Sequence, residues 1–233
     1  MILNIETSSE VCSVALCNHG ELVSLKESAN DKTHAAELSV FVNKIFEENS
    51  LKASSLSGVA VSKGPGSYTG LRIGVSMAKG MCYAAGLPLI AVSTCRALTA
   101  GLLTSNPAGF DAGYDDPLFC PMIDARRDEV YLSIYNTRME IISPVHSEVI
   151  THLSFLDILQ DKQVIFFGPG AGKCKAMINH CNAIFIDGIY PSARYMAAIS
   201  YNAYTMGQFE DVAYFEPFYL KDFIATVPRK KVI

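Results

Sequence analysis

The stretch VAVSKGPGSYTGLRIG, residues 59–74, decides the fold class of this chain of 233 residues. Residues 59–62 form a short apolar run that predicts a buried strand, and the glycines and proline of residues 63–66 predict a tight turn. Ser67 is a suitable N-cap for a helix that continues to residue 85. A strand that turns directly into a helix is a building unit of α/β domains, so the stretch predicts an α/β fold.

The glycine-rich turn admits two interpretations. Unpaired N–H groups at a helix start, together with the helix dipole, suit an anion, which makes Gly66 and Ser67 candidate phosphate-binding residues. Alternatively, the glycines only allow the strand, turn and helix to pack closely. No Gly-Lys-Ser/Thr follows, so the turn is not a Walker A loop, and on spacing alone we favour close packing.

The rest of the chain extends this pattern into two similar halves. The first half predicts strands at 2–7, 11–17, 21–26 and 89–92, and helices at 33–49 and from 93 onward. The second half predicts strands at 118–123, 130–136 and 164–167, one or two strands within 139–150, and helices at 153–160 and 191–206. Because residues 104–117 have loop composition, we predict two lobes with mixed β-sheets flanked by helices, 1–105 and a smaller 106–233, with the last helix and tail packing back on the first lobe.

Composition and charge exclude several classes of protein. Apolar residues make up 50% of the chain and charged residues 18%, which excludes a disordered tail or a coiled-coil rod. The net charge is −4 and the one basic cluster lies at 229–231, so we expect weak binding of nucleic acid by this chain alone.

Cysteine usage and hydropathy predict the compartment. The seven cysteines contain no C-x-x-C pair and predict scattered core thiols in a reducing environment. Residues 1–6 do not resemble a signal peptide, and no apolar run approaches the ~18 residues of a membrane span. We therefore expect a cytoplasmic protein that does not enter a membrane.

Two polar strand ends occupy equivalent places in the two halves. The first is I-E-T-S-S at residues 5–9, and the second is I-D-A-R-R-D-E-V-Y at residues 123–131. Facing hairpin turns of this kind clamp phosphates in actin-like ATPases and sugar kinases, and G-P-G at 168–170 is a candidate third loop on the adenosine side. Thr7, Ser8 and Asp124 therefore join Gly66 and Ser67 as candidate residues for weak nucleotide or phosphate binding. Ordinary polar turns are the alternative.

Taken together, these segments resemble one family over essentially the whole chain. The segments that carry the resemblance are I-E-T-S at 5–8, H-A-A-E-L at 34–38, G-P-G-S-Y-T-G-L-R-I-G at 64–74, P-L-I-A-V-S-T at 88–94, the D-A-R segment at 123–131 and P-F-Y-L-K at 217–221. They occur in the order typical of the TsaB (YeaZ) family. The resemblance implies an actin-like (ASKHA, ribonuclease H-like) fold of two lobes, the second reduced.

The resemblance also implies a role in making N6-threonylcarbamoyladenosine on tRNA. In that system a TsaD transferase carries the chemistry, TsaE is an ATPase, and TsaB is a non-catalytic scaffold that pairs with TsaD and also forms homodimers. We therefore expect no catalytic residue, no metal and no cofactor of its own. Weak adenine nucleotide binding at the partner interface or in the cleft stays open, and tRNA is reached only through the complex.

Two enzymatic functions are the alternatives to a non-catalytic scaffold. A glycoprotease-like metallopeptidase of the TsaD type needs an H-x-x-x-H pair, whose two imidazoles share an ion on one helix face. Here Thr94 and Leu98 stand at those positions, and neither can replace a histidine. An actin-like ATPase or kinase is the second alternative, since Glu6 and Asp124 are placed to face a nucleotide, although such short lobes leave little chain to enclose a substrate.

The helix at 67–85 is the predicted partner surface. Its polar residues form one narrow stripe, and the remaining apolar arc is more than twice the roughly 100° that packing on one sheet requires. The alternative is that part of this arc faces the first helix of the same lobe. The resemblance implies that the first two helices form the pairing surface. The candidate partner-binding residues are His34, Gly70, Gly74, Met77, Ala78 and Met81.

Overall fold

The first lobe is built on a five-stranded mixed sheet. The computed structural model describes residues 1–29, 34–105 and 116–221. The strands are β1 (Ile2–Glu6), β2 (Cys12–Asn18), β3 (Glu21–Ser28), β4 (Gly58–Gly64) and β5 (Leu89–Ser93), in the order β3-β2-β1-β4-β5. β1 pairs antiparallel with β2 and parallel with β4, and β4 pairs parallel with β5. Every residue of the central strand β1 is buried, which is typical of a strand covered on both faces.

Helices cover both faces of this sheet. α1 (His34–Glu48) and α2 (Tyr68–Ala85) pack on one face, where Leu38, Val42 and Ile45 of α1 are buried in the first core cluster. This is the apolar stripe that the spacing predicted for the first helix. The opposite face packs against a 3-10 helix (Ala193–Met196) and α6 (Ala197–Thr205) near the end of the described chain.

The second lobe repeats the strand order of the first. Its strands are β6 (Leu118–Asp124), β7 (Glu129–Tyr135), β8 (Ile141–Val149), β9 (Val164–Phe167) and β10 (Ala183–Ile186), in the order β8-β7-β6-β9-β10. Its helices α4 (Leu156–Asp161) and α5 (Ala171–Cys174) stand in the chain positions of α1 and α2 but are much shorter. The internal repeat, the two mixed sheets and the reduced second lobe are thus confirmed.

The two lobes share a core at the base of the molecule. α3 (Thr94–Ser105) follows β5 of the first sheet, yet Cys95, Leu98 and Leu102 pack with Phe119 and Phe167 of the second sheet. The chain later returns to the first lobe at Ser192, whose hydroxyl donates to Glu27 of β3, and the backbone N–H of Ala193 donates to the Ser13 hydroxyl at 2.8 Å.

Some element bounds differ from the prediction for local reasons. The helix predicted at 191–206 begins as a 3-10 turn, because the Ser192 hydroxyl caps Arg194 N–H and tightens the start. The helix predicted at 153–160 begins only after Phe155, which has φ +66°. Residues 139–150 contain one strand, β8. Thr33, most of the boundary loop at 104–117 and the basic cluster at 229–231 lie outside the described residues.

Cysteine placement agrees with the prediction of core thiols. Six cysteines are buried and Cys181 is exposed. Burial raises the pKa of Cys12 and of Cys95 to about 12, which keeps these thiols protonated and unreactive at neutral pH. Among the helices in the described ranges, none is long and apolar enough to cross a bilayer.

Candidate functional site

A cleft of about 810 Å³ lies between the two lobes. It is lined by the residues after β1, the glycine-rich turn before α2, the β6–β7 turn and the G-P-G loop. Ser8, Gly66, Ser67, Asp124, Pro169 and Lys221 are among the residues that line it. The structure therefore brings together four of the five candidate nucleotide residues. The fifth, Thr7, does not line the cleft, because its side chain is fully buried beside Gly74 of α2.

The glycines of the turn are explained by close packing against the end of β1. A β-carbon at Gly66 would lie under 3.0 Å from the backbone of Ser8, and one at Gly70 equally close to the carbonyl oxygen of Thr7. The Ser67 N–H donates to the Ser8 carbonyl at 2.7 Å, which fixes the turn on the strand. The close packing that the glycines were expected to allow is present, and Ser67 is the N-cap, since its hydroxyl accepts from Gly70 N–H at 3.2 Å.

Glu6 is the carboxyl group at the end of β1 and is completely buried. Burial raises its pKa above the usual value of 4.5, although hydrogen bonds from Ser8 and Ser62 lower it part of the way back. One carboxylate oxygen accepts from Ser8 N–H at 2.7 Å. Because Glu6 is fully buried and does not line the cleft, its carboxyl group is not presented to a metal ion there.

Asp124 is the carboxyl group at the equivalent end of β6, and it is held by Lys173 of α5. Its Oδ1 accepts from Lys173 Nζ and from the backbone N–H of Arg126, each at 2.7 Å. The same ammonium also donates to the carbonyl oxygens of Arg127 and Glu129 at 2.7 Å. Lys173 thus organises the β6–β7 turn, and a cation at Asp124 would have to compete with it. Nothing in the local sequence indicated this partner, since Lys173 lies 49 residues away.

The positions that correspond to the metal ligands of a TsaD-type enzyme are part of the core. Thr94 and Leu98 are both completely buried, and Leu98 packs with Cys95 and Phe119 where the lobes meet. Over residues 1–29, 34–105 and 116–221, no three His, Cys, Asp or Glu side chains come together as candidate metal ligands.

The predicted partner surface on α2 needs correction. Gly70 and Gly74 are buried because Thr7 at the end of β1 occupies the space that their missing side chains leave, and Ala78 is buried in the first core cluster of the same lobe. The prediction that these three residues touch a partner is therefore wrong. Met77 and Met81 lie at the margin of the first core cluster and are half-buried. His34 is also half-buried, and its Nε2 lies 2.8 Å from the carbonyl oxygen of Ser9 at the cleft edge.

The outward face of α2 consists of other residues. Arg72, Ser76, Gly80 and Tyr83 are exposed, and Tyr83 is 86% accessible. The Arg72 guanidinium lies 4.8 Å from the centre of the Tyr68 ring, which holds it along the helix. Beside this face, a groove of about 500 Å³ runs between α1 and α2. Leu38 of α1 and Ile73 and Met77 of α2 form its apolar floor, and Arg72 and Ser76 stand at its rim.

Comparison with known proteins agrees with this architecture. The family model for TsaD, tRNA N6-adenosine threonylcarbamoyltransferase, matches residues 27–227. The tRNA threonylcarbamoyladenosine biosynthesis protein TsaB of Bacillus subtilis is 31% identical over 180 residues, which cover 76% of this chain and 74% of that protein. Its Escherichia coli counterpart is 28% identical over 232 residues and 96% of both chains.

Solved structures show the same fold. YeaZ from Pseudomonas aeruginosa superposes with a TM-score of 0.78 at 25% identity, and the match covers 94% of this chain and 99% of that one. The two mixed-sheet lobes thus have the fold of YeaZ. Because the matches in sequence and in structure extend over most of the protein, the chain belongs to the TsaB (YeaZ) family.

Proposed function

We propose that this protein is a non-catalytic scaffold, an activating subunit of the machinery that makes N6-threonylcarbamoyladenosine on tRNA. Its partners in this proposal are a TsaD-type transferase and a TsaE-type ATPase, and its setting is the cytoplasm. The names of its relatives support the pathway, and the match to the TsaD family model supports common descent with the transferase itself. The observation that carries the scaffold role is the outward face of α2.

Gly80 is the decisive residue of that face. It lies in the interior of the 18-residue helix α2, and a β-carbon there would meet nothing within 4 Å. A glycine in a helix interior costs about 1 kcal/mol relative to alanine, so an open site would favour almost any other residue. A glycine at this position would allow a second backbone to come close. Nothing in the described part of this chain gives another reason for it.

The α1–α2 groove supplies the apolar part of the same surface. The half-buried Met77 is adaptable apolar filling beside Ile73 and Leu38, and the exposed Arg72 and Tyr83 are residue types enriched in interfaces. We propose that this surface pairs with the TsaD-type partner and, in the partner's absence, with a second copy of this chain. The two pairings then compete for one surface.

The cleft supports the non-catalytic part of the proposal. A phosphoryl-transfer site uses a metal ion to bridge the phosphates and to neutralise developing charge. Of the two carboxyl groups expected to face a nucleotide, Glu6 is buried and does not line the cleft, and Asp124 is ion-paired with Lys173. Weak adenine nucleotide binding in the cleft or at the partner interface remains part of the proposal, without turnover, and tRNA is reached through the complex.

Reconstitution tests the proposal against an enzyme that acts alone. Purified TsaD-type and TsaE-type proteins of the same organism are incubated with ATP, a threonylcarbamoyl donor and tRNA that reads codons beginning with adenosine, with and without this chain. We expect the modified nucleoside only when all three proteins are present, and no nucleotide or peptide hydrolysis by this chain alone. Modification that is unaffected by omitting this chain contradicts the scaffold role, and turnover by this chain alone favours an ATPase, kinase or metallopeptidase.

A further inference from the structure

The last part of the described chain, residues 208–221, contains neither a helix nor a named strand, and we call it the strap. It first covers the edge of the first sheet, where Glu210 N–H donates to the Leu89 carbonyl of β5 at 2.8 Å. Val212 and Phe215 then pack against the first core cluster. Further along, Phe218 N–H donates to the Lys63 carbonyl at 2.7 Å, beside the glycine-rich turn. The strap is therefore fastened to the first lobe along most of its length.

Lys79 of α2 is the side chain that holds the middle of the strap. Its ammonium donates to the carbonyl oxygens of Ala213 at 3.1 Å and of Phe215 at 2.9 Å. Because both acceptors are backbone atoms, Lys79 fixes the path of the strap and not one of its side chains. Loss of the ammonium would leave two carbonyls without these charge-assisted donors.

The end of the strap reaches across the cleft. The Tyr219 ring lies 4.9 Å from the Tyr68 ring at the start of α2, centre to centre. Two residues later, Lys221 lines the cleft and forms an ion pair with Glu129, the first residue of β7 in the second lobe. The strap is thus anchored on one lobe and ends on the other.

The two lobes are therefore joined at two places, which we call the base and the mouth of the cleft. At the base, the lobes are joined by α3, whose Leu98 and Leu102 are buried against the second sheet. At the mouth, the strap joins them through Lys221 and Glu129. Separation of the lobes about the base would stretch this ion pair, because Lys79 and Lys63 hold the rest of the strap in place.

We propose that the strap is an interlobe clasp that sets the opening of the cleft, with Lys79 as its anchor and the Lys221–Glu129 pair as its catch. The proposal goes beyond the scaffold function and does not depend on it. Since Lys79 lies on the same helix as the proposed pairing surface, the clasp gives that helix a physical connection to the cleft.

Distances between two spin labels on the isolated full chain test the clasp. Cys181 of the second lobe is the exposed native cysteine, and Ser54→Cys on the first lobe supplies the second label. In this background we compare Glu129→Gln, which removes the catch, and Lys79→Met, which keeps the aliphatic stem and removes the anchor. The matched control is Lys175→Gln, whose ion pair with Asp187 lies within the second lobe.

The two variants are expected to behave alike. Each gains a second population at a longer label-to-label distance, while the control keeps the distribution of the parent protein. Thermal melts verify that each variant is folded. A distribution that superimposes on that of the parent in either Glu129→Gln or Lys79→Met overturns the proposal. This outcome is independent of the tRNA modification assay, which tests the scaffold function.

Discussion

Helix α2 has glycines on both its inner and its outer side, and they serve different purposes on the two sides. On the inner side, Gly70 and Gly74 are buried, and the end of β1 fills the space where their side chains would be. On the outer side, Gly80 is exposed and nothing lies within 4 Å of its missing β-carbon. The inner glycines serve the packing of one lobe, and the outer glycine has no such role within this chain.

This difference shows what a glycine pattern can and cannot indicate. Spacing along a helix predicts that small residues allow a backbone to come close, but not whose backbone it is. Only the burial of each position separates contact with the same lobe from contact with a partner. We therefore expect substitutions of glycine on the two sides of α2 to change the free energy of unfolding in opposite directions and by different amounts.

The largest effect on stability is expected at the inner side. A β-carbon in Gly70→Ala would press on the Thr7 carbonyl, a backbone atom that cannot move aside cheaply. We expect the free energy of unfolding to fall by about 3 kcal/mol, as is typical of an overpacked core. Urea denaturation measures it, with Gly172→Ala as the matched control because its β-carbon meets nothing within 4 Å. Equal stability of the two variants would contradict the packing assigned to the inner side.

The next effect concerns pairing and not folding. Met77→Glu places a charge in the α1–α2 groove, where a docked partner would strip it of water. We expect a cooperative melt, with the affinity for the TsaD-type partner and the homodimer both weakened by about 2 kcal/mol, which is roughly 30-fold. Sedimentation equilibrium measures both. Met177→Glu is the control, since Met177 is an exposed methionine of the second lobe; equal losses in the two variants would place the interface elsewhere.

A smaller effect of opposite sign is expected at the outer side. Gly80→Ala adds a methyl group in open space and removes the conformational freedom of glycine from the unfolded chain. We expect the free energy of unfolding of the monomer to rise by about 1 kcal/mol. Urea denaturation at concentrations below dimerisation measures the change. A loss of stability would mean that the site is already occupied within the chain.

A fourth prediction concerns how the free energy of unfolding depends on pH because of Glu6 at the end of β1. Glu6 has a raised pKa because it is buried, so between 4.5 and that higher value the folded state binds more protons than the unfolded state. Stability from this group is therefore present below pH 4.5 and is lost as pH rises through the folded pKa. Glu6→Gln should remove this part of the decline. Parallel profiles for the two proteins would show that Glu6 ionises in the folded state as it does in the unfolded state.

Much of the fold follows from local patterns in the sequence. The apolar stripe of α1 and the Ser67 cap of α2 are set by residues within a few positions of one another, and both are found as predicted. The similarity of the two halves also follows from local signals, because each sheet begins with strands joined by tight turns. The start of α4 could not be predicted in this way. Phe155, which precedes the helix, adopts a positive φ, and this is uncommon for a phenylalanine.

The parts of the site that could not be predicted depend on distant residues. Lys173 reaches Asp124 across 49 residues, and Lys79 reaches Phe215 across 136. No periodicity links such partners, because a side-chain contact of this kind is created by the packing of whole elements. The same limit explains why Gly70, Gly74 and Ala78 were assigned to a partner surface that their own lobe already fills.

The most direct test of the central claim is the affinity of the TsaD-type partner for Gly80→Glu, measured by isothermal titration calorimetry. Glutamate is a better helix former than glycine, so this variant should fold at least as stably as the native chain. Gly172→Glu, at an exposed glycine of the second lobe, is the matched control. We predict that Gly80→Glu loses at least about 10-fold in affinity, equivalent to about 1.4 kcal/mol, while Gly172→Glu binds as the native chain does. Native affinity in a folded Gly80→Glu would contradict the assignment of the outer side of α2 as the pairing surface.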